Sequence, residues 1–548
     1  MQRWLFGIIL GLAVLAGAWR FFDLGRDPDI VTQSSQDAWG DPAQYLYNAR
    51  SHVLFGEWRP SEGTTMYAAP GYTFLAAICL SLFGVVYSHT VVMAVLAGFV
   101  VIAATAMYAG TAVRFDRDVS PAYAIAASAV MLLGSYIIFA NQRVPNGDME
   151  ALATSSLAAL CLAGLQSVRL RVGSFKFCGL AVLGGLGIGL APFVKVNNAI
   201  FAIAAVVAWL TSYFVLDADW KTRWRAAMPW LAAGVGFAIC IWLAWAVWMY
   251  RISPVGVLAA QMDRLRIYSV LTARPEDKNY NPRGTFSLLR FFQSNLMYRQ
   301  PIEAVLAPLG FFSFFFGKRK NWAMFLASIW WLTGVAVMTN ITPDPLRYRL
   351  IVWPAAIVLA AHSWSRLANG LRDQWTRRAQ LLTALGLGIV FGAILVYFAS
   401  IRLNRPISLS LQWMAFIVTI AVAYLMVRAL AVLPPKPTAL ILALAFVVLS
   451  VPQWVAGERQ VTHELAEAAR RLDKYPADYV LGGGWGVFLG FSSHRNAYFF
   501  WTPESTPRVD LFVEDPLYLK DIPLPWHEVE RHKVRRLPLE IAFVRIDR

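Results

Sequence analysis

Charge is scarce in this sequence. Only 15% of its 548 residues are Asp, Glu, Lys or Arg, whereas 58% are hydrophobic. No soluble domain has an interior large enough to hide that much apolar surface, so a soluble globular protein is excluded and a polytopic membrane protein is indicated. Cysteine is nearly missing: the four, Cys79, Cys161, Cys178 and Cys240, all lie in apolar segments. A disulfide framework and a cysteine metal cluster are therefore excluded, and packing is left as their role. There is no His-x-x-x-His, no Walker loop, no serine-centred elbow and no paired cysteine motif. His52 and His89 stand alone, and His463, His494, His527 and His532 follow without metal-ligand spacing. Tandem repeats and low-complexity tracts are absent too. The apolar runs are continuous rather than alternating, which argues against a β-barrel.

What is present is a long series of apolar runs. Crossing a bilayer as a helix takes roughly 17–25 residues. Many windows meet that requirement, and spans are read near 4–22, 89–113, 121–140, 149–167, 177–193, 197–216, 229–249, 302–316, 322–339, 350–367, 379–400, 411–431 and 437–456. The expected fold class is an all-α polytopic membrane protein of about 13 transmembrane helices. The start, "MQRWLFGIILGLAVLAGAWRFF", also fits a signal peptide, with a small-residue site at Ala16-Gly17-Ala18. A retained first helix is the preferred reading, because the apolar run continues past that site.

The net charge of +16 serves orientation here, not nucleic-acid binding. If segment 70–86 does not cross, the basic residues Arg114 and Arg117, Arg169, Arg171 and Lys176, Lys221, Arg223 and Arg225, Lys318 to Lys320, Arg372, Arg377 and Arg378, and Lys436 all fall on the cytoplasmic side. Segment 70–86 is therefore read as horizontal or re-entrant on the outer face. The N-terminus is then cytoplasmic and the C-terminus periplasmic, in a bacterial inner membrane. A transmembrane domain spans 1–456, with a large first periplasmic loop at 23–88. A second outer loop, 141–148, reads "NQRVPNGD", and a third, 250–301, is rich in arginine. That third loop has two open readings, a solvated surface or a patch for anionic lipid or phosphate.

From residue 457 the composition becomes mixed. "HELAEAARRLDKY" has helical periodicity, and "DYVLGGG", "NAYFFW" and "EIAFVRI" read as short strands. A small periplasmic α/β domain is expected over 457–548. Gly482-Gly483-Gly484 lacks a nucleotide-loop fingerprint and reads as a turn.

Carboxylates close to a bilayer are costly unless solvated or paired, so they mark candidate function. Asp41 opens "DPAQYLYNAR", where it also suits a helix cap with Pro42 in the first turn. Asp148 precedes an apolar helix and carries the same double reading. Glu150 competes with it, and Arg143 could pair with it. Lys195, in "APFVKVNNA", lies between two spans on the outer side, where it either snorkels or holds a lipid phosphate. Arg347 and Arg349, in "PDPLRYRLIVWPAA", flank Tyr348 at the outer end of a span. Arginine's planar fork suits phosphate, and an interfacial anchor is the plainer alternative.

In order and spacing these stretches resemble the GT-C membrane glycosyltransferases. The likeness is strongest to aminoarabinose–lipid A transferases and protein O-mannosyltransferases. Asp41, Tyr45, Ala49, Arg50, Gly56, Trp58 and Pro60 fill the places of that group's first outer loop. "RVPNGD", "PFVKVNNA" and "RYRLIVWPAA" resemble its later motifs. Pro42 replaces a usual Glu, and Ala68-Ala69 stand where the lipid A group tends to carry Glu-Lys. Both departures weaken aminoarabinose and protein mannosylation as the specific reaction.

The resemblance implies an inverting transferase that moves a sugar from a polyprenyl-phosphate donor to an envelope glycolipid or glycan, such as lipid A or lipopolysaccharide. It implies Asp41 and Asp148 as catalytic residues and Arg50, Lys195, Arg347 and Arg349 as donor-phosphate ligands. Tyr45, Trp58, Tyr67 and Tyr348 are implied as pocket residues. No cofactor is required, though paired carboxylates could hold a divalent cation. The partners are the lipid-linked sugar, the acceptor and the bilayer, with no nucleic acid. A protein O-mannosyltransferase remains an alternative. A transporter or flippase of anionic lipid is the alternative of another class, but it predicts midplane charges and inverted repeats that the sequence does not show.

Overall fold

The computed structural model describes residues 14–27, 37–59, 69–114, 121–167, 170–252, 301–316, 321–338, 350–369, 408–432, 462–491, 493–498, 508–516, 525–534 and 539–547, with scattered residues between them. Residues 14–21 are helical. The helices that follow are α1 (Asp37–Phe55), α2 (Pro70–Phe83), α3 (Tyr87–Val113), α4 (Pro121–Gly134), α5 (Tyr136–Gln142), α6 (Asp148–Gly164), α7 (Phe175–Val194), α8 (Ala199–Val215) and α9 (Ala218–Ile252). Then come α10 (Pro301–Phe316), α11 (Trp322–Met338), α12 (Trp353–Asn369) and α13 (Leu409–Val432). Among the described residues, four helical stretches are long and apolar enough to cross a membrane: Tyr87–Val113, Phe175–Val194, Val196–Val215 and Ala218–Ile252. Shorter apolar helices add to them at Pro70–Phe83, Pro121–Gly134, Trp322–Val337 and Leu409–Leu425. The expected spans near 379–400 and 437–456 fall largely outside the described residues.

Two expected boundaries change. The run 121–140 is not one helix: it breaks at Ser135, whose backbone is extended and whose hydroxyl accepts from Ile138 N to start α5. In the other direction, the basic stretch before residue 229 is no loop. Lys221, Arg223 and Arg225 already belong to α9. Arg223 donates to the carbonyls of Leu165 and Leu170, so the start of α9 is anchored to the connection between α6 and α7.

One core runs through α3, α4, α6, α7, α8, α11 and α12. It is closed by polar ties that suit an apolar interior, where a donor must find an acceptor. Trp322 Nε1 donates to Leu162 O at 2.7 Å, and Tyr108 Oη donates to Ala323 O at 2.8 Å.

The C-terminal part begins with α14 (Glu464–Arg470) and carries α15 (Gly484–Leu489) against a five-stranded sheet. Its strands are β1 (Leu481–Gly482), β2 (Ala497–Tyr498), β3 (Leu511–Glu514), β4 (Trp526–Val534) and β5 (Leu539–Ile546), in the order β2-β1-β3-β5-β4. The first two neighbours of β1 are parallel, and α15 supplies the crossover that parallel pairing needs. The β3–β5 and β5–β4 pairs are antiparallel, with Leu511 opposite Arg545 and Trp526 opposite Ile546. The expected helix and all three expected strands are present. The glycine run is a turn: Gly484 N donates to Glu514 Oε2 at 2.7 Å, so a carboxylate of the protein already occupies the start of α15.

This sheet does not stand apart from the segment that follows the N-terminal helix. Ala43 and Tyr47 of α1 share a buried cluster with Leu465, Trp485, Val513 and Phe543. Asp27 reinforces the junction by accepting from Thr462 Oγ1, Glu464 N and Leu465 N, which caps α14.

Candidate active site

The site forms where α1, α2, the start of α6 and the end of α7 meet. Helix α7 carries Pro192 in its last turn and stops at Lys195, whose backbone is extended. A short 3-10 turn, Val196–Asn198, leads on to α8. This break turns the Lys195 side chain inward, and it is 1% exposed. Its ammonium lies 2.6 Å from Asp148 Oδ1 and donates to Asn146 O at 2.9 Å. It also sits 4.3 Å from the centre of the Tyr45 ring. A fully buried lysine needs such company, since an unpaired charge in an apolar interior is prohibitive.

Asp148 is held by the turn before it. Gly147, at φ +81°, takes the left-handed conformation that non-glycine residues avoid. A Cβ there would also lie 2.8 Å from Cγ of Tyr72. Asn146 Oδ1 accepts from Asp148 N at 3.1 Å. Asp148 is thus the first residue of α6 and not its cap. The expected pairing with Arg143 does not occur either. Arg143 donates to the carbonyls of Phe22 and Asp23, in the chain leaving the N-terminal helix. The aspartate finds Lys195 because α7 ends beside it.

Tyr72 enters through another close contact. A Cβ on Gly71 would lie 2.9 Å from Val194 Cα, so only glycine lets α2 approach the end of α7 so nearly. Tyr72 is completely buried and meets Tyr45 edge-on, with ring centres 6.3 Å apart. Glu150, in the first turn of α6, is also buried, at 6% exposure.

Asp41 contributes its backbone to α1, which begins at Asp37 with Pro42 inside it, so residue 41 does not start the helix as a cap would. It lies one turn before Tyr45, about 6 Å along the axis, and its side chain lies outside the described residues. Tyr67, Arg347, Tyr348 and Arg349 lie outside them as well. Trp58 joins an aromatic cluster, stacked on His52 at 4.1 Å and edge-on to Trp248 at 5.6 Å. Among the described residues, no group of three or more His, Cys, Asp and Glu side chains is arranged to hold a metal.

Arg50, implied as a donor-phosphate ligand, has Nε and Nη2 engaged by the protein and Nη1 without a hydrogen-bond partner. It is fully buried, and its guanidinium faces the C-terminal part. Nε donates to Phe491 O at 2.8 Å, and Nη2 donates to Gly490 O and Arg495 O at 2.9 and 2.7 Å. Arg59 works beside it, donating to Ala497 O at 3.0 Å and Asn496 Oδ1 at 2.9 Å. Tyr47 Oη reaches Ala497 O at 3.1 Å. Together they clamp α1 onto residues 490–498. Sequence reasoning missed this clamp, and it also missed Tyr72 and Asn146. The Asn-Gly turn before Asp148 was the signal that could have drawn attention to Asn146.

No protein-family model matches the chain, and no curated protein matches it in sequence. Solved structures do. ArnT from Cupriavidus metallidurans bound to undecaprenyl phosphate superposes with a TM-score of 0.60 at 17% identity, covering 98% of each chain. The apo state of the same protein gives 0.61, also at 17% identity and 98% of each chain. The archaeal oligosaccharyltransferase AglB from Archaeoglobus fulgidus, in complex with an inhibitory peptide and a dolichol-phosphate, gives 0.50 at 12% identity, over 93% of this chain and 70% of AglB. This chain therefore shares the fold of ArnT over nearly its whole length, and that of AglB over most of it.

Proposed function

We propose that this protein is an inverting glycosyltransferase. It takes a sugar from a polyprenyl-phosphate donor and passes it to a hydroxyl or phosphate acceptor on an envelope glycolipid or glycan, at the outer face of a bacterial inner membrane. The observation that carries the reading is the buried Asp148–Lys195 pair under Tyr45, on the helix that also bears Asp41. The full-length fold likeness to ArnT bound to undecaprenyl phosphate supports it.

A hydroxyl acceptor is a weak nucleophile until its proton is removed. Asp41 is the base in this reading. The acceptor oxygen bonds to the anomeric carbon on the face opposite the phosphate, and the bond from that carbon to the phosphate oxygen breaks. The electron pair leaves with the phosphate as an anion, while the proton ends on Asp41. Cations at the outer ends of the helices stabilise the departing charge, so neither a general acid nor a metal is required. Arg347 and Arg349 are assigned to this work. Lys195 fixes Asp148, which orients the acceptor. Arg50 is removed from the phosphate ligands, because carbonyls hold its guanidinium.

The test is Asp41→Asn in a deletion strain. Mass spectra of envelope glycolipids and glycans should show a one-sugar increment with the wild-type chain and none with the variant. Turnover should fall about 10²–10⁴-fold, while undecaprenyl phosphate binding and the thermal midpoint are retained. Full complementation by the variant would overturn the mechanism and favour a transporter or a binding module.

A further inference from the structure

Around the Asp148–Lys195 pair lies a set of polar atoms with no protein partner. Tyr72 Oη, Asn146 Nδ2, Asp148 Oδ2 and both carboxylate oxygens of Glu150 are fully buried without a hydrogen bond to another residue. Their residues are 0%, 1%, 7% and 6% exposed. They are neighbours: Gly147 packs against the Tyr72 ring, Tyr72 lies within electrostatic reach of Glu150 and Asp148, and Glu150 within reach of Asp148 and Lys195. A buried polar group left unpaired costs about 1–3 kcal/mol. Several such groups converging in one place indicate a guest that completes them.

The chemistry of the set selects the guest. The open donors are a phenol and a carboxamide, and the open acceptors are carboxylate oxygens. A bare phosphate would be repelled by Asp148 and Glu150. A metal ion would meet the Lys195 ammonium and the Asn146 amide hydrogens. A neutral polyol matches both kinds, since each hydroxyl donates to a carboxylate and accepts from Asn146 or Tyr72.

The structure assigns Tyr72, Asn146 and Glu150 to a buried subsite for the hydroxyl groups of the sugar carried by the lipid-linked donor, with Glu150 as the residue that determines which sugar is accepted. This assignment rests on the glycosyl-transfer reading above. It places the sugar beside the Asp148–Lys195 pair and leaves the phosphate to cations elsewhere. Specificity follows physically, because a sugar lacking the matching hydroxyl would leave the Glu150 carboxylate buried and unpaired.

The experiment uses the full chain in nanodiscs. Binding is measured for undecaprenyl phosphate and for the same lipid carrying glucose, galactose, mannose or a pentose. The wild type should bind at least one sugar-bearing lipid more tightly than the bare phosphate. Glu150→Gln and Tyr72→Phe, both close to isosteric, should reduce that gain about tenfold, as loss of a buried partner does. Their affinity for the bare lipid and their thermal midpoints should stay near wild type. If the variants keep the full gain, or weaken bare-lipid binding equally, the unpaired atoms are structural and the assignment falls. If the wild type binds the bare lipid but gains from no sugar in the panel, the subsite falls and glycosyl transfer stands. If the wild type binds neither, both fall together.

Discussion

Two buried cations in this molecule teach opposite lessons. Lys195 and Arg50 are both close to completely buried; Arg50 belongs to α1, and Lys195 packs on Tyr45 of the same helix. Lys195 is met by a carboxylate, an aromatic face and one carbonyl, and the atoms around it remain open to a ligand. Arg50 is met by three backbone carbonyls of the C-terminal part. Those carbonyls belong to Gly490, Phe491 and Arg495, so that contact joins α1 to the C-terminal part. A carboxylate paired with a lysine and surrounded by unpaired polar atoms is instead where the proposed sugar subsite lies.

The comparison is broken most severely at Lys195. Lys195→Met strands Asp148 as a buried, unpaired carboxylate, and the expected loss is about 3–5 kcal/mol. It should appear as a large fall in the denaturation midpoint. Adding Asp148→Asn to that variant should recover most of the stability but no transfer activity. If the double variant stays as unstable as the single, the pair is not what holds this corner.

Arg50→Ala should come next, at about 3 kcal/mol for the charge-assisted bonds it removes. Its signature differs: proteolysis should release the C-terminal part faster, while undecaprenyl phosphate affinity is kept. A selective loss of lipid binding with intact docking would restore the phosphate role to Arg50.

The smallest effect lies in the sheet. His532 is 7% exposed, and its Nε2 has no hydrogen-bond partner. Burial first, and then the Arg471 cation, hold it below the usual imidazole range, against Glu467, Glu464 and Glu530, which favour its protonation. The unfolded chain therefore takes up the proton more readily than the folded one. This contribution is complete above the unfolded pKa of about 6.5 and is lost as pH falls through the folded pKa. The C-terminal part should be less stable at pH 5 than at pH 7, and His532→Gln should flatten that dependence. An unchanged slope in the variant would assign the effect elsewhere.

Much of the fold could be read along the chain. The long apolar runs gave α3, α7 and α8, because a helix in lipid is specified by its own composition. Period-two patterns gave β5 and marked β1 and β2. The break at Ser135 was missed because hydropathy is blind to one extended residue inside an apolar stretch. At the site, Asp148 and Lys195 were singled out separately, and their union was not foreseen. The contacts of Arg50 were not foreseen for the same reason: its partners are backbone carbonyls some 440 positions away, and carbonyls leave no mark in the side-chain sequence.

The sequence by itself determined the apolar, helical character of the chain and the short strands at its C-terminal end, since each follows from local composition and period. The tertiary structure alone decided which cation meets which anion. Whether a buried lysine faces Asp148 or a bundle of carbonyls depends on where Gly71, Gly147 and the end of α7 let distant backbones approach, and no local pattern encodes that distance.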